Sequence, residues 1–139
     1  MNIDSIQNGI VLDHIKAGAS MEIYQLLGLH KLDCSVAIIK NAKSTKMGRK
    51  DIIKIDDIID LNLEVLGYVD PGITVDIIRN GQRSEKRHLS LPKKLVDVLV
   101  CKNPRCITSS EPQLKSEFIL TNPAHRTYCC AYCDTEYRR

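Results

Sequence analysis

Four of the six cysteines in this chain stand in two pairs, Cys101-x4-Cys106 and Cys130-x2-Cys133. Four thiolates from two such knuckles can close a tetrahedral sulfur site, and soft sulfur ligands favour zinc. Iron in the same geometry is chemically open. Two disulfides are disfavoured because nothing else in the chain reads as secreted. Four unrelated core thiols are the bland alternative. Turn formers serve both knuckles: Asn103-Pro104 lies inside the first, and Asp134 follows the second. The 23 residues between the pairs are enough for a small β-meander to go out and return. Cys129 competes with Cys130 for the fourth position, but the x2 spacing gives the tighter knuckle. The expected ligands are therefore Cys101, Cys106, Cys130 and Cys133, holding one structural zinc per chain.

Nothing else in the sequence looks catalytic. The histidines His14, His30, His88 and His125 are scattered, with no second ligand at helical spacing. Cys34 lies in an apolar run and reads as a small buried hydrophobe. No glycine-rich phosphate loop is present, and a closed four-sulfur site leaves no coordination position for a substrate. The expectation is a non-enzyme. What remains are charged residues oddly placed for a β-rich domain. Lys50, Ile52 and Lys54 alternate on one face of a strand, which sets the two lysines about 13 Å apart at their backbones. That distance suits a nucleotide reaching from sugar to phosphates. Asp13-His14 closes the first strand, and Lys86 lies on a strand after a tight turn. A solvated face is the plainer reading of any one of these lysines.

The elements that would position these groups follow from periodicity and turn chemistry. Residues 9–15 read as a strand. Residues 20–28 read as a helix with Ser20 as N-cap, an apolar stripe of Met21, Tyr24 and Leu27, and Gly28 as its stop. Residues 34–40 are apolar on both faces, which predicts a central strand. Residues 40–50 are polar and basic and predict a loop, followed by a strand at 51–55. Residues 57–67 fit both periods, but Asp56-Asp57 and Gly67 favour a helix. Strands at 73–79 and 83–89 flank Asn80-Gly81, a hairpin turn pair that takes positive φ at both positions.

The predicted order β-α-β-β-α-β-β gives an α+β fold. It is a mainly antiparallel, ferredoxin-like sheet with two helices on one face. Pro92-Lys93-Lys94 marks a boundary, so residues 1–91 form one domain and 92–139 a small zinc-bound antiparallel β domain, entered through residues 96–100. About 48 residues bury too little surface to hold themselves, so metal should fold the second domain.

Composition agrees. At 43% hydrophobic and 27% charged, the 139-residue chain is globular rather than disordered. Its net charge of +3 arises entirely within residues 92–139. Much of that excess offsets the −2 of a zinc tetrathiolate, with Lys102, Arg105 and Arg126 nearby in sequence. The N-terminal residues have no signal-peptide pattern, and no run approaches a membrane span. A cytoplasmic protein is expected.

The chain resembles the regulatory chain of aspartate carbamoyltransferase. The likeness runs through GIVLDHI (9–15), MGRKDIIKI (47–55), SLP and VLVC (90–92, 98–101), CITSSEP (106–112) and CAYC (130–133). It implies a non-catalytic subunit of pyrimidine biosynthesis that pairs with itself through the N-terminal domain. Its zinc domain would bridge catalytic trimers. CTP, with UTP in some members, would inhibit and ATP would activate. The resemblance places Ile3, Asp4, Ser5 and Ile6 beneath the base, with Val11 beside them. It sets Asp13, His14 and Lys54 around sugar and phosphates, Lys86 near the phosphates and Ile78 at the pocket wall. Asn103, Glu111 and Tyr132 match the surface for the catalytic chain. Asp76, Gly81 and Arg83 replace Asn, Tyr and Val of the best-known members, and Arg105 and Ala131 also differ. The rival is a zinc-ribbon nucleic-acid binder, suggested by Tyr128, Tyr132 and Tyr137 among Arg126, Arg138 and Arg139. It leaves the charge-balanced first domain without a role, so no nucleic acid is expected as partner.

Overall fold

A computed structural model describes residues 6–138 of the chain. It divides into two compact units between Ser90 and Leu91. The first contains β1 (Gly9–Lys16), α1 (Ser20–Leu26), β2 (Val36–Ser44), β3 (Gly48–Ile55), α2 (Leu63–Val69), β4 (Thr74–Arg79) and β5 (Gln82–His88). These strands form one sheet in the order β2-β3-β1-β4-β5, antiparallel at every junction. β1 and β2 therefore run the same way with β3 fitted between them, a split β-α-β arrangement.

Alternation builds the core. Ile10, Leu12, Ile53, Ile55, Ile73, Val75 and Ile77 are buried, as are Ile23 of α1 and Val65, Leu66, Tyr68 and Val69 of α2. Between them, residues 11, 52, 54, 76 and 78 stand half-buried on the sheet's outer face.

Several expectations from the sequence give way here. The strand expected at the centre, residues 34–40, is the edge strand β2, and β1 is central. Its apolar run reflects partial burial on both faces rather than a neighbour on each side. The loop expected at 40–50 is mostly strand. β2 continues to Ser44 and β3 starts at Gly48, because a bulge at Lys40-Asn41 lets polar residues keep pairing. The second helix begins at Leu63, not near Asp57. Asn62 caps it by accepting the Val65 N–H at 3.2 Å, and Gly67 is buried inside it. Ala19, not Ser20, is the N-cap of α1. Its buried residues are Ser20 and Ile23, whereas Met21 is 45% exposed and Tyr24 and Leu27 are half-buried, so the stripe of Met21, Tyr24 and Leu27 is not the core face. Gly28 does end that helix, at φ 66°. Asn80 and Gly81 take φ 54° and 76° in the hairpin between β4 and β5, as expected.

The second unit is a meander of β6 (Lys94–Val96), β7 (Glu117–Asn122), β8 (Thr127–Cys130) and β9 (Glu136–Arg138), with a single turn of helix, α3 (Ile107–Ser110). Its apolar core is small: Leu95, Leu99, Phe118 and Tyr128, with Cys101, Cys106 and Cys130. The Tyr128 hydroxyl donates to the Pro92 carbonyl at 2.6 Å, so the buried phenol is satisfied. Among the described residues, no helix is long and apolar enough to cross a membrane.

Gly9 opens β1 under close constraint. A Cβ there would overlap the Ile55 carbonyl oxygen and stand 2.7 Å from Ile6 Cγ2. Ile6 thus packs over the one position that has no side chain. Gly9→Ala should destabilise the protein by about 1–3 kcal/mol, the usual cost of overpacking. Urea unfolding of the full chain measures this, and an unchanged midpoint would show that β1 and Ile6 yield freely.

Candidate functional site

The outer face of the first sheet is where register gathers the charged residues. One lateral row crosses all five strands: Ala37, Lys54, Val11, Asp76 and Lys86, each paired with the next. Ile78 lies two pairs along from the Val11–Asp76 pair, opposite Gly9, and so borders the position covered by Ile6. Lysines on β3 and β5 thus flank an apolar patch and a carboxylate.

Asp13-His14 is not the end of the first strand but a bulge within it. The register of β1 against β3 shifts between Leu12 and Ile15, and His14 takes φ 59°, a left-handed conformation rare for a non-glycine residue. The bulge re-aims two side chains. Asp13 Oδ1 meets Lys50 Nζ at 2.9 Å and accepts the His14 N–H at 2.6 Å. Burial works to raise the Asp13 carboxyl's pKa, but the Lys50 ammonium and the His14 N–H outweigh it and hold the group below 3.8. His14 Nδ1 lies 2.9 Å from Thr74 Oγ1, which fixes the ring and leaves its other nitrogen to point elsewhere. Asp76 Oδ1 is buried without a hydrogen-bond partner. Arg83 Nη1, at 3.9 Å, is a charge neighbour only. The structure therefore brings together Ile6, Val11, Asp13, His14, Lys50, Lys54, Asp76, Ile78 and Lys86 on one face. Ile3, Asp4 and Ser5 lie outside the described residues.

Sequence reasoning passed over Asp51 and Thr74. Asp51 carried a usable signal, since Asp51, Ile53 and Ile55 share one side of β3 and a carboxylate is out of place on a core face.

In the second unit the sulfurs of Cys101, Cys106, Cys130 and Cys133 all lie within 4.8 Å of one another. Cys101 and Cys133 are 3.6 Å apart and Cys106 and Cys130 3.7 Å. A disulfide would need about 2.05 Å. A tetrahedron with metal–sulfur bonds near 2.3 Å has edges of about 3.8 Å, which these separations fit. The surroundings favour thiolates. Each sulfur is faced by the N–H two residues further on: Asn103, Thr108, Tyr132 and Thr135. Thr108 Oγ1 also donates to Cys106 Sγ at 3.1 Å, and Thr135 Oγ1 lies 3.1 Å from Cys133 Sγ.

Without a cation the cluster is at odds with itself. Burial pushes the Cys101 thiol up to about 12 and raises Cys130, while the Thr135 hydroxyl pulls Cys133 down to about 6 and the Thr108 hydroxyl lowers Cys106. A dication at the centre is what would make all four thiolates at once. Lys102 lies over the Tyr137 ring at 4.6 Å, beside the first knuckle. Arg126, expected near the ligands, instead starts the opposite end of β8 from Cys130, in the turn after β7 at φ 51°.

Cys129 points to the other side of β8, with its sulfur 3.5 Å from Thr121 Oγ1. Asn103, Glu111 and Tyr132 all lie on segments adjoining the knuckles. Near them Val100 is 83% and Ile107 51% exposed.

Comparison with known proteins decides the family. Residues 1–90 match the family model for the allosteric domain of the aspartate carbamoyltransferase regulatory chain, and residues 93–139 match that for its metal-binding domain. The chain belongs to the aspartate carbamoyltransferase regulatory chains. Relatives bearing that name share its full extent. The one from Clostridium botulinum is 50% identical over 137 residues, covering 99% of this chain and 94% of the relative. The Clostridium tetani chain is 48% identical over 139 residues, covering 99% and 96%. The Bifidobacterium longum chain is 44% identical over 136 residues, covering 98% of each. The chain is thus a non-catalytic regulatory subunit, with an allosteric domain and a metal-binding domain built on four cysteines. A regulatory chain of this enzyme has a catalytic chain as its partner.

The side of β8 on which each cysteine lies yields a test. Cys130→Ser should abolish tight metal binding, whereas Cys129→Ser should leave one metal per chain. Metal content after gel filtration, with cobalt substitution as a thiolate-sensitive spectrum, measures both; the reverse pattern would refute the ligand set.

Proposed function

We propose that this chain binds nucleoside triphosphates on the outer face of its first sheet and holds zinc in its four-sulfur cluster. In this reading it passes the binding signal to the catalytic chain of aspartate carbamoyltransferase. The effectors are CTP and UTP as inhibitors and ATP as activator, and the setting is pyrimidine biosynthesis in the cytoplasm. Residues 1–91 also pair with a second copy of the chain, for which an edge strand such as β2 offers a surface. Residues 92–139 bridge catalytic trimers.

The observation that carries the nucleotide reading is the row Lys54, Val11, Asp76, Lys86 with the Asp13–Lys50 pair beside it. Cations at separated positions suit a polyanion. A carboxylate beside them accepts hydrogen bonds from ribose hydroxyls, and Ile6, Val11 and Ile78 supply an apolar seat for a base. These residues would bind and orient the nucleotide.

Zinc supplies a cross-link. Its two positive charges would offset half the charge of the four thiolates, and it would join the two knuckles, which the small apolar core could not hold by itself. A surface built on the knuckle segments depends on it.

Two outcomes follow. Lys54→Ala removes a charged donor worth ~1.5–3 kcal/mol, so CTP and ATP affinities should fall roughly ten- to a hundredfold. Calorimetry on the full chain measures this, and equal affinities in the two proteins would remove Lys54 from the site. Titrating the thiolates with a mercurial should release zinc and free the chain from its catalytic partner while the first unit stays folded. A complex still intact on gel filtration after full zinc release would defeat that account.

A further inference from the structure

One buried charge lies directly beneath the proposed nucleotide face and has no role in it so far. Asp51 is 0% exposed, on the core side of β3. Its Oδ2 accepts the N–H groups of Gly18 at 3.0 Å and Ser20 at 3.2 Å, and its Oδ1 accepts that of Asn41 at 2.8 Å. Those N–H groups come from two different neighbours of β3: the turn leading from β1 into α1, and β2 on the other side.

Both neighbouring strands are irregular at this level. β1 slips against β3 between Leu12 and Ile15, whose partners are Ile53 and Asp51. β2 slips between Ile39 and Ala42, whose partners are Ile52 and Lys50. Each irregular segment contains a left-handed non-glycine residue, His14 at φ 59° and Asn41 at φ 61°. Such conformations persist only where the surroundings over-determine them. The bonds to Asp51 supply that determination: Asn41 is held directly, and the chain just beyond the His14 bulge is held at Gly18 and Ser20.

We propose that Asp51 is the positioning residue of the nucleotide site, a buried carboxylate that clamps the flanking bulges of β1 and β2 and thereby sets Asp13, His14 and Lys50. The proposal rests on reading the outer face as the nucleotide site. Lys50 is the residue next to Asp51 in the chain, on the opposite side of the strand, and its ammonium reaches Asp13 only because the β1 bulge brings that carboxylate to 2.9 Å. The clamp requires a charged acceptor with two oxygens. Burial alone would raise the Asp51 carboxyl's pKa, but the nearby Ser20 hydroxyl and the N–H groups of Asn41, Ser20 and Gly18 outweigh it and keep the group below 3.8. The Ser20 hydroxyl makes no hydrogen bond of good geometry, so it acts as a nearby dipole while the three N–H groups do the holding. Asparagine would present one oxygen and turn an NH2 group toward backbone donors.

The test uses full-length Asp51→Asn, with Asp51→Asn/Asn41→Gly as a second variant. Glycine at 41 takes positive φ without help and so supports folding if the single change does not. Two readouts are compared with the wild type at a temperature where circular dichroism shows each variant folded. The first is the Asp13 carboxyl titration by carbon-13 NMR, which needs no ligand. It should move up toward the ordinary aspartate range as Lys50 leaves. The second is CTP affinity by calorimetry, which should fall roughly tenfold, the scale of loss when groups that orient metal ligands are removed. In addition, Lys50→Ala should cost less affinity in the Asp51→Asn background than in the wild type, because Lys50 is already misplaced there. A folded variant with an unchanged Asp13 titration overturns the proposal, and so does an additive Lys50→Ala effect. Wild-type protein that binds neither CTP nor ATP would instead overturn the nucleotide reading, and the Asp13 titration would still decide the clamp.

Discussion

Four sulfurs within 4.8 Å of one another cannot all carry charge without a cation among them, and the second unit is organised round that constraint. Its hydrophobic core is little more than Leu95, Leu99, Phe118 and Tyr128. A core of that size leaves the chain near the limit at which burial offsets conformational entropy. The knuckles answer with geometry that makes sense only for thiolates: an N–H two residues beyond every cysteine and threonine hydroxyls at two of them. Folding and metal affinity therefore become one free energy in this unit, and any surface carried on the knuckles inherits it.

The first unit solves a different problem. Its core is ample, and its difficulty is to present hydrophilic groups in fixed places on a sheet whose other face is apolar. Regular alternation does most of this, because Val11, Lys54 and Asp76 must lie on the face opposite Leu12, Ile53 and Val75. A perfect ladder could not bring Asp13 to Lys50. The bulges do that, at the cost of two strained backbone positions and one buried carboxylate that must be kept satisfied.

Much of this was legible in the sequence. The element order, the Asn80-Gly81 hairpin and the four clustered cysteines follow from local rules with short reach. The failures share a cause. Residues 34–40 look central because their apolar content does not say whether a strand has one neighbour or two, which is a fact of pairing. The loop expected at 40–50 is a hairpin with a bulge, and its polar composition hides strand because Asp51 on the neighbouring strand supplies the missing hydrogen bond from ten residues away. Ser20 reads as a cap from its type alone, yet the buried carboxylate takes its N–H and leaves the hydroxyl unpaired. Two of these errors meet at Asp51. Local reading goes astray where one buried charge reorganises three segments at once.

A ligand that merely bound to the outer face would regulate nothing; only a difference in affinity between two states of the enzyme can do so. The charges on that face show where such a difference could be stored. Asp13 is already matched with Lys50, and Asp76 stands near Arg83. If the face takes a nucleotide as proposed, its polyphosphate would compete for these cations and so re-partner the carboxylates rather than add itself to an idle surface. The free energy of that exchange depends on small displacements, since charge interactions inside a partly buried site are stronger than in water and change steeply with distance. Strands locked in register can move little without turning every side chain to the wrong face. The bulges are not so constrained, and they carry Asp13 and His14. In a sheet of this kind the irregular positions, rather than the ladder, are the part able to differ between two states.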